Sequence, residues 1–289
     1  MPNDVGPRSR PTAVLDRVAT VRRVRTTDEY RQIERLQDRV WGAGDVAGVP
    51  MLDLLTAQEN GGMVLGAFDA GGGLVGFVFS FLGISQERRL KHCSVILGVD
   101  PEHRGHGIGL RLKLAQREEA LAQGIDLITW TFDPLLAVNA NLNVRRLGAI
   151  AREYRINHYD TVYGLNGGLD TDRLIVEWWL RRRQPGQTAA AALVPQAVHT
   201  GRITPDQVTG LPTLTDVDQD VDAPILLLPI PADLNELKRH DLAGARRWRL
   251  QTRALFLAYL ERGYTVIDFH PGDSSDPRAG YLLSREPLW

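Results

Sequence analysis

The strongest pattern of apolar and polar positions runs from His92 to Gly124 and predicts a strand, a glycine-rich turn and a helix. Residues 93–99 form a short apolar run rich in β-branched side chains, which is typical of a buried strand. Asp100 and Pro101 end this strand, since proline lacks the N–H that a strand ladder needs. From Ile108 the apolar positions recur at helical spacing, and Gly124 is expected to end the helix.

The same kinds of pattern predict the other elements. Strand patterns occupy residues 20–25, 63–68, 74–82, 125–132, 151–159, 223–231, 264–269 and 281–284. Helical patterns occupy residues 28–40, 51–59, 139–147, 173–181 and 241–262. Asp172 is a candidate cap for the helix at 173–181. The strand at 125–132 is expected to run parallel to that at 93–99, because a helix connects them. Gly98 predicts either a β-bulge or close packing near the end of the latter strand.

These elements predict the α/β (α+β) class, with a mixed sheet and four segments. A loose tail is expected at 1–19, an α/β domain at 20–183, an irregular linker at 184–222 and a strand–helix–strand–strand extension at 223–289. The extension is expected to pack on the domain, where it shapes a pocket or a homodimer contact. Its helix carries Arg246, Arg247 and Arg249, which are predicted to lie on a solvent-exposed face.

Composition and charge exclude several classes of partner. The chain is 43% hydrophobic and 24% charged, with a net charge of −1 and a pI of about 6.7, so no bulk field attracts nucleic acid or an acidic membrane. Neither a membrane-spanning run nor the apolar core of a signal peptide is evident. The single cysteine, Cys93, suits a reducing, cytoplasmic compartment. His240, Asp268 and His270 lack the spacing of metal ligands, so no metal is expected.

The turn after the 93–99 strand has the chemistry of an anion site. Gly105, Gly107 and Gly109 leave no side chains between the backbone and a ligand, and the first N–H groups of the helix have no partner inside it. Phosphate oxygens are favoured at this positive end of the helix dipole, and Arg104 adds a bidentate donor. A dinucleotide motif would need glycine where Leu110 stands, and no P-loop motif is present. A tight strand-to-helix turn without a ligand is the alternative.

The pattern V-x-P-x-x-R-G-x-G-x-G, from Val99 to Gly109, resembles the pyrophosphate-binding segment of the GNAT superfamily of acyl-CoA N-acyltransferases. The resemblance implies a GNAT-like mixed sheet with splayed central parallel strands, between which the pantetheine arm of coenzyme A (CoA) lies. It implies acetyl-CoA or another acyl-CoA, succinyl-CoA included, as cofactor. A backbone N–H of Val99 or Leu97 would stabilise the oxyanion. Cofactor contacts are implied at Leu97, Gly98, Val99, Arg104, Gly105, His106, Gly107, Ile108, Gly109, Asn139 and Asn143, although the asparagines could equally be caps and turns.

One position departs from the family pattern. Many GNAT enzymes carry a tyrosine four residues before the glycine that ends the helix after the second splayed strand, and it protonates the leaving thiolate. Here that glycine corresponds to Gly148, and the tyrosine position holds Val144. Tyr154, Tyr159 and Tyr163 are the candidate substitutes, of which Tyr159 is retained as a catalytic candidate, although tyrosines in strands are usually packing residues.

A longer string narrows the resemblance. It comprises TFDPL at 131–135, Asn139, Ala140, Asn143, LGA at 147–149, Asn157, Tyr159, TDR at 171–173, Glu177 and Trp178. It resembles a GNAT subfamily in which some members N-acylate or N-succinylate amino acids, so the implied partner is a small-molecule amine such as an amino acid. Trp130, Asp133, Asp172 and Arg173 become substrate candidates, with Arg173 as a carboxylate clamp. Asp133 as a turn former and Asp172 as a helix cap are the structural alternatives.

Three hypotheses of different classes follow. The first is an N-acyltransferase in which a neutral amine attacks the thioester directly, without an acyl-enzyme. The second is a non-catalytic acyl-CoA sensor, since Val144 cannot serve as an acid. The third is nucleotide binding at the glycine turn. A thiol-release assay separates the first two, and competition with ATP or NAD tests the third.

Overall fold

The computed structural model describes residues 19–42, 48–159, 168–182, 192–272 and 279–286. The strands within these ranges are β1 (Thr20–Arg23), β2 (Met63–Phe68), β3 (Leu74–Ile84), β4 (Leu90–Val99), β5 (Leu127–Phe132), β6 (Ile150–Arg155), β7 (Arg173–Trp179), β8 (Val198–His199), β9 (Arg202–Pro205), β10 (Pro212–Thr215), β11 (Ile225–Pro229), β12 (Thr265–His270) and β13 (Gly280–Ser284). The α-helices are α1 (Thr27–Trp41), α2 (Met51–Glu59), α3 (Ile108–Ala122), α4 (Ala137–Ala140), α5 (Leu234–His240) and α6 (Leu242–Glu261). A π-helix at Asn141–Arg146 continues α4, and 3₁₀-helices occupy Pro101–His103 and Val194–Gln196.

Eleven of the described strands form one mixed sheet, in the order β1-β2-β3-β4-β5-β7-β6-β12-β13-β11-β8, while β9 and β10 form a separate hairpin. The pairs β4–β5 and β11–β8 are parallel, and the other pairs of the sheet are antiparallel. The predicted mixed α/β class is confirmed. Val266 of β12 pairs with Ala151 of β6, so the strands of the C-terminal segment continue the same sheet.

Helices cover both faces of the sheet around β4. Helix α1 begins with a capping box, in which Thr26 and Glu29 bond reciprocally across the first turn. It buries Ile33 and Leu36 in a cluster with Phe77 and Phe79 on one face of the sheet. Helix α3 covers the opposite face, where Ile108 and Leu112 are buried in a cluster with Leu65, Val75 and Val78. Strand β4 therefore lies between two packed layers, which hold its position against α3.

The C-terminal segment shares a core with the carboxyl end of β5. Phe256 of α6 stacks on Tyr154 of β6 at a centroid distance of 5.3 Å. The hydroxyl of Tyr281 on β13 donates to the carbonyl of Pro134, just beyond β5, at 2.7 Å. Both contacts are buried, so the C-terminal segment helps to fix the position of the residues that follow β5.

One predicted element is wrong, and one helix was not predicted. Residues 173–181 do not form a helix capped by Asp172, because β7 occupies Arg173–Trp179. Leu174, Val176 and Trp178 are buried while the residues between them are partly exposed, which is the alternation of a strand. The C-terminal segment also has two helices where one was predicted, since Asp233 caps α5 and Asp241 caps α6.

Candidate active site

Strands β4 and β5 separate soon after they meet. Their parallel pairing consists of His92 with Ile128 and Cys93 with Thr129, although β4 continues to Val99 and β5 to Phe132. Beyond these pairs the two strands leave an opening, here called the fork. Its closed end lies at Cys93 and Thr129, and its open end lies at Val99 and Phe132. The predicted splaying of the central parallel strands is thereby confirmed.

A β-bulge in β4 lies next to the closed end of the fork. The pairing with β3 passes from Ser80–Ser94 to Phe79–Ile96, so Val95 is the extra residue. A bulge bends its strand and increases the local twist, which accords with the departure of β4 from β5 at this point. Val95 is 49% exposed, so the bulge faces open space.

A bulge at Gly98 was one of two alternatives, and the structure does not place the bulge there. Gly98 pairs with Phe77 in regular register. The need for glycine there is steric, because an added Cβ would lie 2.9 Å from ring carbons of both Phe77 and Trp41. The two rings meet edge to face, with centroids 6.2 Å apart. The alternative reading of this glycine, close packing, is the one that the structure supports.

The main chain of β4 presents hydrogen-bonding groups to the fork. The N–H of Asp100 donates to Val75 on β3 at 2.9 Å. Backbone groups of successive strand residues point to opposite sides, so the N–H groups of Val99 and Leu97 point away from β3 and into the fork. These are donors that a β5 partner would have taken if the sheet had stayed closed.

The glycine turn is open to a ligand. Gly105 and Gly107 adopt the left-handed conformation, with φ of 82° and 76°, and no atom lies within 4 Å of a Cβ built on either. Gly107 caps α3 without a side-chain hydrogen bond. No backbone N–H of residues 105–110 has an acceptor among the described residues, and the first bond of the helix runs from Arg111 N–H to the Gly107 carbonyl at 3.1 Å. The unpaired donors of the helix terminus are therefore available.

Polar contacts hold the start of this turn. Burial opposes ionisation of Asp100, yet hydrogen bonds from Glu102 N–H and Arg39 outweigh it and hold the pKa of Asp100 below its usual value. The side chain of Arg104 donates from Nε to the Val99 carbonyl at 3.3 Å and is otherwise exposed. His106 is also exposed beside the turn. Two cationic or hydrogen-bonding side chains thus flank the open N–H groups.

Gly109 links the turn to the fork. A Cβ on Gly109 would lie 3.5 Å from Leu97, 3.7 Å from Leu142 and 3.9 Å from Val99. The start of α3, the end of β4 and the π-helix therefore converge on this glycine. Any larger side chain would project between them.

The helix predicted over 139–147 is α-helical only at its beginning. It passes after Ala140 into a π-helix, where the N–H of Leu147 donates to the carbonyl of Leu142 at 3.0 Å. Short π-helices are often found at functional sites. Asn143 is buried and Asn139 half-buried, and the side-chain amides of both have no hydrogen-bond partner among the described residues. Val144 is buried in the hydrophobic core.

The face of β5 opposite α3 carries a cluster of polar side chains. The hydroxyls of Thr131 and Tyr159 lie 2.9 Å apart. The guanidinium of Arg173 lies 5.1 Å from the centroid of the Tyr159 ring, and it donates to the carbonyl of Asp172 at 2.9 Å. Tyr159 is half exposed and Arg173 is mostly buried, so a charged group lies beneath an accessible ring. Tyr163, the other tyrosine considered beyond β6, lies outside the described residues.

Asp133 is held by a residue that sequence reasoning misplaced. Its Oδ2 accepts from Nη2 of Arg249 at 2.6 Å, and its Oδ1 accepts from the N–H of Leu135 at 2.9 Å. Arg249 is 1% exposed, so its predicted place on a solvated helix face is wrong. It lies on the buried stripe of α6 with Ala245, Trp248, Thr252 and Phe256. Nη1 of Arg173 lies 3.8 Å from the same carboxylate oxygen.

Asp172 is fully engaged in the fold. It accepts from the hydroxyl of Tyr154 at 2.6 Å, from Nε of Arg253 at 2.8 Å and from the N–H of Asn157 at 2.9 Å. Burial would raise the pKa of this carboxyl, but these bonds outweigh it and keep the pKa below the usual value. Asp172 therefore joins β6, β7 and α6 next to Arg173.

A buried polar cluster that sequence reasoning missed lies at the closed end of the fork. Nζ of Lys113 donates to Oγ of Ser94 at 2.9 Å and to Oε1 of Gln116 at 3.1 Å. It also lies 3.8 Å from the centroid of the Trp130 ring, which itself meets Trp178 edge to face at 6.1 Å. Burial lowers the pKa of Lys113 to about 7. The sequence feature that could have predicted this cluster is helical spacing, which puts Lys113, Gln116 and Ala120 on one stripe of α3 with Leu112.

Two features are absent from the part of the chain that the structure describes. No group of three or more His, Cys, Asp and Glu side chains is arranged there to hold a metal ion. None of the helices is both long and apolar enough to cross a membrane.

Comparison with known proteins gives similarity to solved structures over little more than half of this chain. No protein-family model matches the chain, and no curated protein sequence matches it. The Escherichia coli ribosomal-protein-S18-alanine N-acetyltransferase is similar with a TM-score of 0.45 and 14% identity, over 57% of this chain and 96% of that one. Aminoglycoside 6′-acetyltransferase type Ii gives 0.44 and 17%, over 57% and 99%. The NatC complex bound to Gag peptide and CoA gives 0.45 and 14%, over 55% and 97%. Similarity of fold does not by itself determine function.

Proposed function

We propose that the protein is an acyl-CoA-dependent N-acyltransferase of the GNAT type. The observation that carries this proposal is the junction of the open glycine turn with the fork. The turn offers unpaired N–H groups for a diphosphate, and the fork offers unpaired strand N–H groups for an extended arm. A dinucleotide or a free nucleotide would use the turn but not the fork.

The cofactor is proposed to lie along β4. Its diphosphate contacts Arg104 and the backbone of Gly105, His106, Gly107, Ile108 and Gly109. Its pantetheine arm takes the place of the missing β5 partner beside Leu97, Gly98 and Val99, where two N–H groups point into the fork. Asn143 or Asn139 supplies an amide to the arm from the side of the π-helix, since neither amide has another partner among the described residues.

The chemical step is direct attack by a neutral amine on the thioester carbonyl. An N–H of β4, at Val99 or at Leu97 nearer the closed end, donates to the developing oxyanion. An α-amino group has a pKa of about 8, so a modest base suffices to deprotonate it near neutral pH. Holding the amine against the thioester then supplies much of the rate. Tyr159, hydrogen-bonded to Thr131, remains the candidate for proton transfer on the face opposite α3.

The acceptor is proposed to be an amino acid or a similar small amine that carries a carboxylate. Arg173 is the clamp for that carboxylate, or for the distal carboxylate of a succinyl group, because guanidinium binds carboxylate in a bidentate geometry. Asp133 and Asp172 flank Arg173 and hold it in place. Trp130 lies on the α3 side of the fork, with its ring against Nζ of Lys113. The subfamily resemblance in the TFDPL and TDR segments supports this class of acceptor.

A non-catalytic acyl-CoA sensor is the second candidate, favoured by the burial of Val144 at the position of the usual acid. Purified protein assayed for thiol release with acetyl-CoA and succinyl-CoA against a panel of amino acids separates the two. An enzyme gives thiol release that depends on both the acyl-CoA and the amine. Calorimetric binding of CoA without thiol release for any amine would support the sensor, and binding of ATP or NAD in preference to CoA would contradict both.

A further inference from the structure

Lys113 is a buried lysine whose described contacts are all to uncharged side chains. Its Nζ bonds to Ser94 and Gln116 and lies over the Trp130 ring. A buried lysine is normally paired with a carboxylate, because taking its charge out of water is costly. Here burial is the only cause of its lowered pKa, so no charged neighbour among the described residues compensates it. Because burial of a lysine is costly, packing alone does not account for the position of Lys113.

The position of Lys113 is defined by the fork. Ser94 directly follows Cys93, and Trp130 directly follows Thr129, the last residues at which β4 and β5 pair. Lys113 contacts both, so its ammonium bridges the first unpaired residue of each strand. The bulged Val95 is the next residue of β4. The ammonium therefore lies at the point where the fork closes, on the α3 side of the sheet.

The groups around Nζ of Lys113 come from α3, β4 and β5. On α3 the neighbour is Gln116, and on β5 it is Trp130. Of the β4 residues that precede Ser94, Cys93 is a free thiol, and His92 has its ring nitrogens 3.3 Å from Ser80 Oγ and 2.8 Å from Gln123 Oε1. An ammonium has three donors, and Ser94 and Gln116 accept two of them. One donor is left for a further acceptor.

The strand positions place the reacting end of a thioester within reach of this point. Of the two N–H groups that point into the fork, that of Leu97 lies nearer the closed end, three residue steps or about 10 Å of strand from Ser94. A thioester whose carbonyl accepts from the Leu97 N–H can direct its sulfur further toward the closed end. Lys113 is the donor that the sulfur would meet there.

We propose that Lys113 is a catalytic residue that binds the sulfur of CoA and protonates it as the thioester breaks. This inference rests on the proposed function. When the amine attacks, the C–S bond breaks and its electron pair remains on sulfur, which takes a proton from Nζ. The attacking amine releases one proton to solvent as the amide forms, and neutral Lys113 regains one from solvent, so that acyl-CoA and amine become amide and free thiol. The lysine performs the task for which Val144 has no functional group.

The test is a titration of the CoA thiol bound to the protein, which needs no knowledge of the acceptor. Thiolate absorbance in the far ultraviolet is followed from pH 5 to 10 for the CoA complex, with the desulfo-CoA complex as reference to remove the signal of Cys93. A free thiol has a pKa of about 8.5, and a cation in contact lowers it by one unit or more. We expect at least a tenfold larger thiolate fraction at pH 7 in the wild-type complex than in Lys113→Met.

Control variants keep the result interpretable. Lys91→Met removes a lysine from β4 away from the cluster and is expected to leave the bound thiol unchanged. Lys113→Gln serves as the second variant, since it retains a hydrogen-bonding side chain if Met disturbs the fold. Once an acceptor is known, both Lys113 variants are expected to lower kcat by about 100-fold, the lower end for general acid catalysis.

The outcomes separate this inference from the one it rests on. If wild-type protein does not bind CoA in calorimetry, the proposed function fails and the role of Lys113 with it. If CoA binds and its thiol titrates identically in wild type, Lys113→Met and Lys113→Gln, the proposed function stands and the role of Lys113 is refuted.

Discussion

Arg249 and Asp133 form a buried ion pair across 116 positions of the sequence, with 2.6 Å between Nη2 and Oδ2. The arginine belongs to α6 in the C-terminal segment, and the aspartate directly follows β5. Asp133 also lies 3.8 Å from Arg173, the proposed carboxylate clamp. The C-terminal segment is thus tied to the carboxyl end of the fork by a charged contact out of reach of water.

Removal of Arg249 is expected to destabilise the fold strongly. Arg249→Met removes the closer of the two arginines beside Asp133 and leaves only Arg173 at 3.8 Å, and breaking a buried ion pair typically costs about 3–5 kcal/mol. Urea denaturation monitored by circular dichroism measures the free energy of unfolding. Arg247→Met is the matched control on the same helix, because Arg247 is half exposed and its pair with Asp241 contributes less than about 1 kcal/mol.

The double variant Asp133→Asn/Arg249→Met separates charge from packing. It is expected to be more stable than Arg249→Met alone, since the buried carboxylate charge is removed together with its closest partner, while Arg173 keeps its hydrogen bond to the carbonyl of Asp172. Equal stability of the single and double variants would show that packing, not charge, accounts for the loss.

The free energy of unfolding is expected to decrease as the pH drops below about 6.5. One cause is His92, which binds a proton more readily in the unfolded chain than in the fold. Burial lowers the pKa of His92 in the fold, against the hydrogen bond with Gln123. In the unfolded chain the pKa of a histidine is about 6.5, so the unfolded state binds more protons between the two values. This stabilisation is therefore complete above pH 6.5 and is lost as the pH falls toward the lowered value.

His92→Gln tests this contribution. The variant is expected to lose part of the slope of unfolding free energy between pH 7 and pH 5, as measured by urea denaturation at each pH. His240→Gln, which replaces an exposed histidine, is the control and should keep the wild-type slope. A wild-type slope in His92→Gln would rule out the proposed linkage.

Gly98→Ala is expected to cost about 1–3 kcal/mol of stability by overpacking. Its Cβ would lie 2.9 Å from Phe77 and from Trp41, and both rings would have to move. Trp41→Leu in the same chain should recover part of the loss relative to the sum of the two single variants. Gly109→Ala is the control for stability, because its Cβ would meet only ordinary contacts at 3.5 Å and beyond. A fully additive double variant would contradict the steric explanation.

Arg173→Met is expected to raise the KM for an amino-acid acceptor by about 10- to 100-fold, since a hydrogen bond to a charged group contributes about 1.5–3 kcal/mol. Wild type and variant should differ little when the acceptor is the corresponding amino-acid amide, which lacks the carboxylate. Arg152→Met is the control, because Arg152 on β6 pairs with Glu177 near the surface. Equal losses on acid and amide would mean that Arg173 has only a structural role.

The elements that depend on residues close together in the chain were the ones that the sequence predicted best. The glycine turn, β4 and α3 follow from residues that are close together in the chain, and their boundaries agree with the structure within a few residues. The strand β7 was equally accessible, because Leu174, Val176 and Trp178 alternate with less buried positions. A helix was predicted there because Asp172 can serve as a helix cap, although the alternation favours a strand.

The features that were missed depend on contacts between distant parts of the chain. Arg249 is buried because Asp133, far away in sequence, approaches it, and nothing within α6 signals that partner. The bulge at Val95 is a property of the register between β3 and β4, which no single strand reveals. Lys113 lies on α3, but only the separation of β4 from β5 gives its position a chemical meaning.

The central claim is that the N–H groups of the glycine turn bind the diphosphate of CoA, and one calorimetric comparison tests it most directly. Gly107 and Gly124 lie at opposite ends of α3, with φ of 76° and 77° and open space at each Cβ. A tryptophan at either position therefore imposes similar backbone strain, but only Gly107→Trp covers the turn. The proposal predicts that Gly124→Trp binds CoA as wild type does and that folded Gly107→Trp shows no binding. Wild-type affinity in Gly107→Trp would contradict it.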